Sequence, residues 1–132
     1  MQTIKNSQLG YYLAGLIEGD GNIWTPKTLK SAKGRVNNPH IVFTFHLSEM
    51  PLYILIKDIF GTGSIYHVKL SNVCKYSISD KNTLIEIINL INGKFRTPKL
   101  KYLHRAIDHI NIIHNTTIEK LPIDKSNLEF NP

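Results

Sequence analysis

Cysteine is nearly missing: Cys74 stands alone in 132 residues. One thiol cannot close an intrachain disulfide and is too few for a cysteine-rich zinc site. It reads as a small residue in a core or at a sheet edge. Long apolar runs are missing as well. None approaches the roughly 20 residues that cross a bilayer, so no membrane partner is expected. The opening MQTIKNSQ has neither the apolar stretch of a secretory signal nor the arginines of a transit peptide. That points to a reducing interior, or to synthesis inside the organelle where the chain works. Acids are scarce, with 10 Asp and Glu against 16 Lys and Arg, giving a net charge of +6 and a pI of about 9.5. Such a balance suits a polyanionic partner. His67, His104, His109 and His114, with a hint of helical spacing at 104 and 109, read as ordinary surface or core residues rather than a zinc site.

What is present suits one globular domain: 42% hydrophobic residues and length for a single core. Ser7 is placed to cap a helix over about 8–19, with Leu9, Leu13, Leu16 and Ile17 at helical spacing. A strand follows over about 22–30, containing Trp24 and Pro26, then a basic turn, SAKGRVNNPH, over 31–40. In IVFTFHL, 41–47, Ile41, Phe43, Phe45 and Leu47 share one face, and His40, Val42, Thr44 and His46 the other. Ser48 reads as the cap of a helix over about 49–60, with Leu52, Leu55, Ile56 and Ile59 inward.

Strands are expected at 64–70 and 73–79 around the tight turn Ser71-Asn72. Asp80 opens a helix to about Asn92 with Leu84, Ile87, Ile88 and Ile91 inward. Thr97-Pro98 signals the start of a last helix, running to about His114. The order is αββαββαα, an α/β (α+β) fold with a four-stranded antiparallel sheet covered on one face by helices. Residues 1–114 form the domain, and 115–132 read as a linker or C-terminal arm. The uncovered sheet face carries His40, Thr44, Ser64, Tyr66, Lys75 and Ser77. It is either a nucleic-acid surface or simply a solvated one.

The stretch YYLAGLIEGDGNIW, 11–24, sets a chemical problem. Gly15 and Gly19 weaken a helix by about 0.5–1 kcal/mol each relative to Ala. Four apart, they share one face. That face admits the close approach of another backbone, either the chain's own sheet or a second subunit. Glu18 and Asp20 sit at the negative end of the helix dipole, where carboxylates are unfavourable. They are either solvated or relieved by a divalent cation, which the hard oxygens of carboxylates and terminal carbonyls suit.

L-A-G-L-I-E-G-D-G, 13–21, resembles the motif that names the LAGLIDADG homing endonucleases, with Glu18 and Gly19 as its two departures. The resemblance extends over 8–114: the element order, HLSEMPLYILIKDIFGTGSIY, and GKFRTPKLKYLHRAID, which is similar to the basic segment of mitochondrial intron-encoded members. It implies a metal-dependent DNA endonuclease. Tyr12, Leu13, Gly15, Leu16 and Gly19 would face a second repeat. Asp20 and the Gly19 carbonyl would bind Mg²⁺, with Ca²⁺ or Mn²⁺ able to substitute in binding. Lys99 matches the family's active-site lysine. Leu47 stands where the family often has a polar residue, with His46 adjacent.

The DNA face would use Lys30, Arg35, His40, Thr44, Tyr66, Lys75 and Ser77, with Lys30 and Arg35 on phosphates and Thr44, Lys75 and Ser77 on base edges. No second motif is found, since LINGKFRTP, 90–98, lacks its acids and its small-residue spacing. The chain must therefore pair. The tail LPIDKSNLEFNP resembles the linker of two-repeat members, which favours an N-terminal half completed by a C-terminal half over a homodimer. A group I intron RNA maturase, or a non-cleaving DNA-binding module of this fold, is the alternative. The family and the wealth of Ile, Asn and Lys, with A/T-rich codons, point to a mitochondrion.

Overall fold

Residues 2–122 are described by a computed structural model. The elements run α1 (Gln2–Asp20), β1 (Gly21–Trp24), β2 (His40–His46), a 3-10 turn (Leu47–Glu49), α2 (Met50–Phe60), β3 (Ser64–His67), β4 (Val73–Ile78), α3 (Lys81–Ile91) and α4 (Leu100–His114). All strand pairs are antiparallel in the order β1-β2-β4-β3. This is the expected αββαββαα architecture. Of the arm expected over 115–132, residues 123–132 lie outside the described residues.

Alternation sorts the sheet into two faces. Ile41, Phe43 and Phe45 of β2 and Cys74, Tyr76 and Ile78 of β4 are buried beneath the helices. Asp80 caps α3 by accepting from the Thr83 amide at 3.1 Å, and Leu84, Ile87, Ile88 and Ile91 bury its inner face, as the spacing predicts. Asn111 and Asn92 hold the segment after α4. Asn111 donates to the Ile118 carbonyl, and Asn92 donates to the Glu119 carbonyl and accepts from the Leu121 amide.

Several boundaries differ from the sequence expectation. α1 begins at Gln2, so Ser7 lies inside the helix rather than capping it. β1 ends at Trp24, and the strand expected to continue to residue 30 becomes a loop with one bridge, Lys30 to Val36. β2 stops at His46, whose Nδ1 accepts from the Ser48 amide at 3.0 Å while Glu49 accepts from the His46 amide. That reciprocal cap turns the chain at Leu47, which is 42% exposed instead of facing the core. The helix that Ser48 was expected to cap starts only at Met50. Thr97 and Pro98 form a turn ahead of α4, which begins at Leu100 after Lys99.

The inward face of α2 is the largest misreading. Tyr53 and Ile56 are buried, whereas Leu55 and Ile59 are more than half exposed. Its segment 52–56 is apolar without interruption, so periodicity marks no face.

The loop between β1 and β2 is tied down from below. His109 donates from Nε2 to the Asn37 carbonyl and His114 from Nε2 to Asn38 Oδ1, both at 2.7 Å. Both histidines are therefore structural anchors of this loop. Burial, with Lys81 and His109 nearby, moves the His114 imidazole below its ordinary pKa.

The small residues of α1 divide by partner. A Cβ on Gly10 would overlap the Leu90 carbonyl oxygen of α3, so this glycine permits the α1–α3 contact. A Cβ on Gly15 or Gly19 would meet nothing within 4 Å. These two therefore do not serve packing on the chain's own sheet. Gly10→Ala is expected to lower stability by about 1–3 kcal/mol. Gly15→Ala should leave the isolated chain unchanged or raise its stability by up to about 1 kcal/mol. Urea unfolding of both variants at dilute concentration checks the contrast.

Candidate active site

The site is built where α1 runs directly into β1. Tyr53 reaches it from α2, and its Oη donates to Asp20 Oδ2 at 2.9 Å. The phenol is fully buried, stacked on Phe45 at a ring separation of 3.9 Å and tilted against Phe43 at 5.5 Å. Burial foremost, then the hydrogen bond to Asp20 and the charge of that carboxylate, push the Tyr53 phenol far above its ordinary value. No periodicity in the sequence singles out this tyrosine.

Lys99 arrives from the turn before α4. Its Nζ donates to the Gly21 carbonyl at 2.8 Å and to the Ile17 carbonyl at 3.4 Å. The ammonium therefore sits against the negative end of α1, where a cation is favoured. Lys101, two residues on, lies over the Tyr102 ring at 5.2 Å and makes no such contact. The two carbonyls lie on either side of Asp20 in the chain, so Asp20 and Lys99 share one end of one helix.

Glu18 resolves its conflict with the helix dipole differently from the cation considered above. Its Oε2 accepts from the backbone amides of Arg96 and Thr97, at 2.9 and 2.6 Å. These are the residues that lead into Lys99. Glu18 thus fastens the lysine-bearing turn to α1, a role only the folded chain reveals, across 78 residues of sequence.

On the uncovered sheet face, the register places Thr44, Lys75 and Tyr66 side by side across β2, β4 and β3. Ser77 lies in the next outward row, between Val42 and Ser64. Because Gly21 pairs with Phe43, Asp20 lies at the Thr44 end of the sheet. His40 lies at the opposite end, edge-on to Trp24 at 5.3 Å, with Trp24 56% exposed. Lys30 and Arg35 stand farther out, on the loop beyond Trp24, both exposed. At about 3.4 Å per residue, Thr44 and His40 are roughly 13 Å apart. The expected residues thus form an inner row near Asp20 and an outer group remote from it.

The outward face of α1 presents Tyr12, 48% exposed, with Gly15 and Gly19 exposed and Leu16 half-buried. Leu13, expected on that face, is instead 1% exposed in the core and is not available to a partner.

The donor set fits a hard divalent ion that a substrate completes. Among the described residues, no three His, Cys, Asp or Glu side chains gather as a closed metal site. Asp20 offers one carboxylate, and the last carbonyls of a helix lack intrahelical partners. Mg²⁺ is commonly held this way, by one or two carboxylates with substrate phosphates filling the remainder.

The four-stranded antiparallel sheet with its four helices is the fold of the LAGLIDADG endonucleases. The chain belongs to that family, whose model matches residues 13–116. It is 37% identical over 116 residues to the intron-encoded DNA endonuclease aI3 of Saccharomyces cerevisiae, covering 87% of this chain and 28% of that protein. It is 32% identical over 97 residues to an uncharacterized cox1 intron-2 protein of Schizosaccharomyces pombe, covering 74% and 26%. The chain therefore spans little more than a quarter of the length of these relatives. Among solved structures, the group I intron-encoded homing endonuclease I-CeuI, complexed with DNA, is similar with a TM-score of 0.62 and 26% identity, over 83% of this chain and 56% of that one. The meganuclease I-SmaMI shares the fold with a TM-score of 0.67 at 18% identity, over 80% of this chain and 37% of that one.

Two outcomes are expected from this geometry. Glu18→Ala should cost about 1–2 kcal/mol, since hydrogen bonds to a charged group contribute about 1.5–3 kcal/mol when sheltered and less when exposed. Glu18→Gln should retain part of that, as read by urea unfolding. In alkali, burial holds the Tyr76 phenol up to about 12 and the Tyr53 phenol higher still. Both protonated phenols favour the fold up to about pH 10, and that stability is lost as pH rises through their folded values. Phenolate absorbance should therefore show Tyr76 and Tyr53 ionising well above the ordinary tyrosine range, with one late-titrating group fewer in Tyr53→Phe.

Proposed function

We propose that this chain is one repeat of a site-specific double-stranded DNA endonuclease, completed by a second LAGLIDADG repeat packed on α1. The observation that carries this reading is the meeting of Asp20 and Lys99 at one end of α1, beside an uncovered polar sheet. Family membership and the DNA-bound I-CeuI neighbour support it.

Asp20 and the Gly19 carbonyl would hold the ion, with Mg²⁺ the working metal and Ca²⁺ or Mn²⁺ able to replace it in binding. When bound, the ion supplies a water nucleophile and steadies the leaving 3′ oxygen. Lys99, fixed by the Gly21 and Ile17 carbonyls, sets a positive charge where a phosphodiester gains negative charge. Thr44, Lys75 and Tyr66 address the bases nearest the cut, with Ser77 and His40 farther out. Lys30 and Arg35 grip phosphates beyond them.

One Asp20 serves one strand, so a duplex needs a second site across the groove. The open face of Tyr12, Gly15, Leu16 and Gly19 is the seam that brings it. The partner is a C-terminal half or a second copy related by a two-fold axis. The intron-encoded relatives favour an organellar origin, in a mitochondrion.

The test is incubation with a randomised duplex library, with and without a second-repeat chain, in Mg²⁺ and then in Ca²⁺. Cut duplexes in Mg²⁺ and intact bound ones in Ca²⁺ are expected. Asp20→Asn should bind without cutting, and Lys99→Met should cut about 10²–10³-fold more slowly. Solution mass of the active species separates a homodimer from paired halves. Binding to intron RNA that ignores Asp20→Asn, with no cut duplex, would replace this reading with a maturase.

A further inference from the structure

At the α1–β1 junction Glu18 accepts from the amides of Arg96 and Thr97, whereas among the described residues no backbone amide reaches the Asp20 carboxylate. Among the described residues, the only hydrogen bond reaching the Asp20 side chain comes from Tyr53 Oη, at 2.9 Å to Oδ2. A surface aspartate at a helix end ordinarily samples several rotamers. This one is tethered to a group packed into the core. The Tyr53 ring is wholly buried, nearly parallel to Phe45 at 13° and 3.9 Å, with Phe43 closing a second side.

We infer that Tyr53 is the positioning residue of the metal site: its buried hydroxyl commits one oxygen of Asp20 and leaves Oδ1 as a single, oriented ligand for a divalent ion. The inference rests on Asp20 being the metal carboxylate. A neutral phenol suits the task chemically. It donates one hydrogen bond without bringing the charge that a lysine or arginine would, so the carboxylate keeps its negative charge for the ion. A one-oxygen ligand of fixed direction matches the near-octahedral demand of Mg²⁺ better than a freely turning carboxylate. Hydrogen-bonded partners of metal-ligating carboxylates commonly set affinity by about 10–100-fold. The tyrosine also links the site to the sheet, because Phe43 and Phe45 alternate along β2 with Val42 and Thr44 of the outer face.

The test uses the full chain, whether or not it cuts DNA. Mn²⁺ is titrated into the wild type, Tyr53→Phe and Asp20→Asn, and the paramagnetic broadening of the Gly21 amide is followed by NMR. Side-chain couplings of Asp20 are measured on the metal-free wild type and Tyr53→Phe. Tyr53→Phe keeps the ring and its stacking, so a near-native melting temperature is expected. Mn²⁺ affinity at Gly21 should fall about 10-fold or more in Tyr53→Phe, with Asp20 averaging between rotamers, and vanish in Asp20→Asn. An Asp20 rotamer unchanged in Tyr53→Phe overturns the inference, as does a Mn²⁺ affinity in that variant equal to the wild type's; a wild type without broadening at Gly21 is titrated again with duplex and a second-repeat chain bound, and continued absence there overturns the inference too. Absence of cleavage by a chain that shows the expected Mn²⁺ behaviour counts against the nuclease reading alone. In a chain that cuts, Tyr53→Phe should raise the Mg²⁺ needed for half-maximal rate by a similar factor, while duplex affinity in Ca²⁺-free buffer stays constant.

Discussion

The end of α1 is an electrostatic junction on which the rest of the site depends. A helix that stops with carboxylates at its negative pole ought to be frayed by its own charges. Here Lys99 lies against the Ile17 and Gly21 carbonyls, and Glu18 grips the amides that lead to that lysine. Each contact makes the other possible: the glutamate draws in the turn, and the turn delivers the cation. Asp20 is left over from this exchange, charged, part-exposed and held by one phenol. The chemistry of the site follows from which of two neighbouring acids is consumed by the fold and which is spared.

The same helix divides its small residues between two tasks. Gly10 admits the backbone of α3, whereas Gly15 and Gly19 face open space. The first is part of this chain's stability. The other two cost helix propensity with no packing return inside the described chain, and the proposed second repeat would give them one. Leu13 and Ile17 on the opposite side bind α1 into the core, so the helix is both a core element and an outer wall.

Legibility in the sequence followed the strength of the local pattern. β2, β4 and α3 have clean alternation or a capped amphipathic stripe, and most of their buried residues were foreseeable, with Leu47 exposed and Thr83 buried as the departures. α2 has apolar residues on every side over 52–56, and its true inner face, Tyr53 with Ile56, depends on the Phe43 and Phe45 rings that await it. Boundaries failed where side chains intervene: His46 with Glu49 ends β2 one residue early and turns Leu47 outward. The nine-residue motif and the matching basic segment singled out Asp20, Gly19 and Lys99, and the fold brings Lys99 to the carbonyls that flank Asp20. Tyr53 and the task of Glu18 escaped because their partners lie 33 and 78 residues away, joined only by the tertiary fold.

The anchoring of the β1–β2 loop by His109 and His114 has a consequence for what such a surface can tolerate. With its root pinned to α4, the loop carrying Lys30 and Arg35 stands at a set distance from Asp20, like a mark on a ruler. B-form DNA turns by roughly 34–36° per base pair. If the chain acts on DNA as proposed, an extra base pair between the outer contacts and the cut would rotate the far phosphates away from the loop as well as displacing them. A protein built this way forgives a changed letter more readily than a changed length.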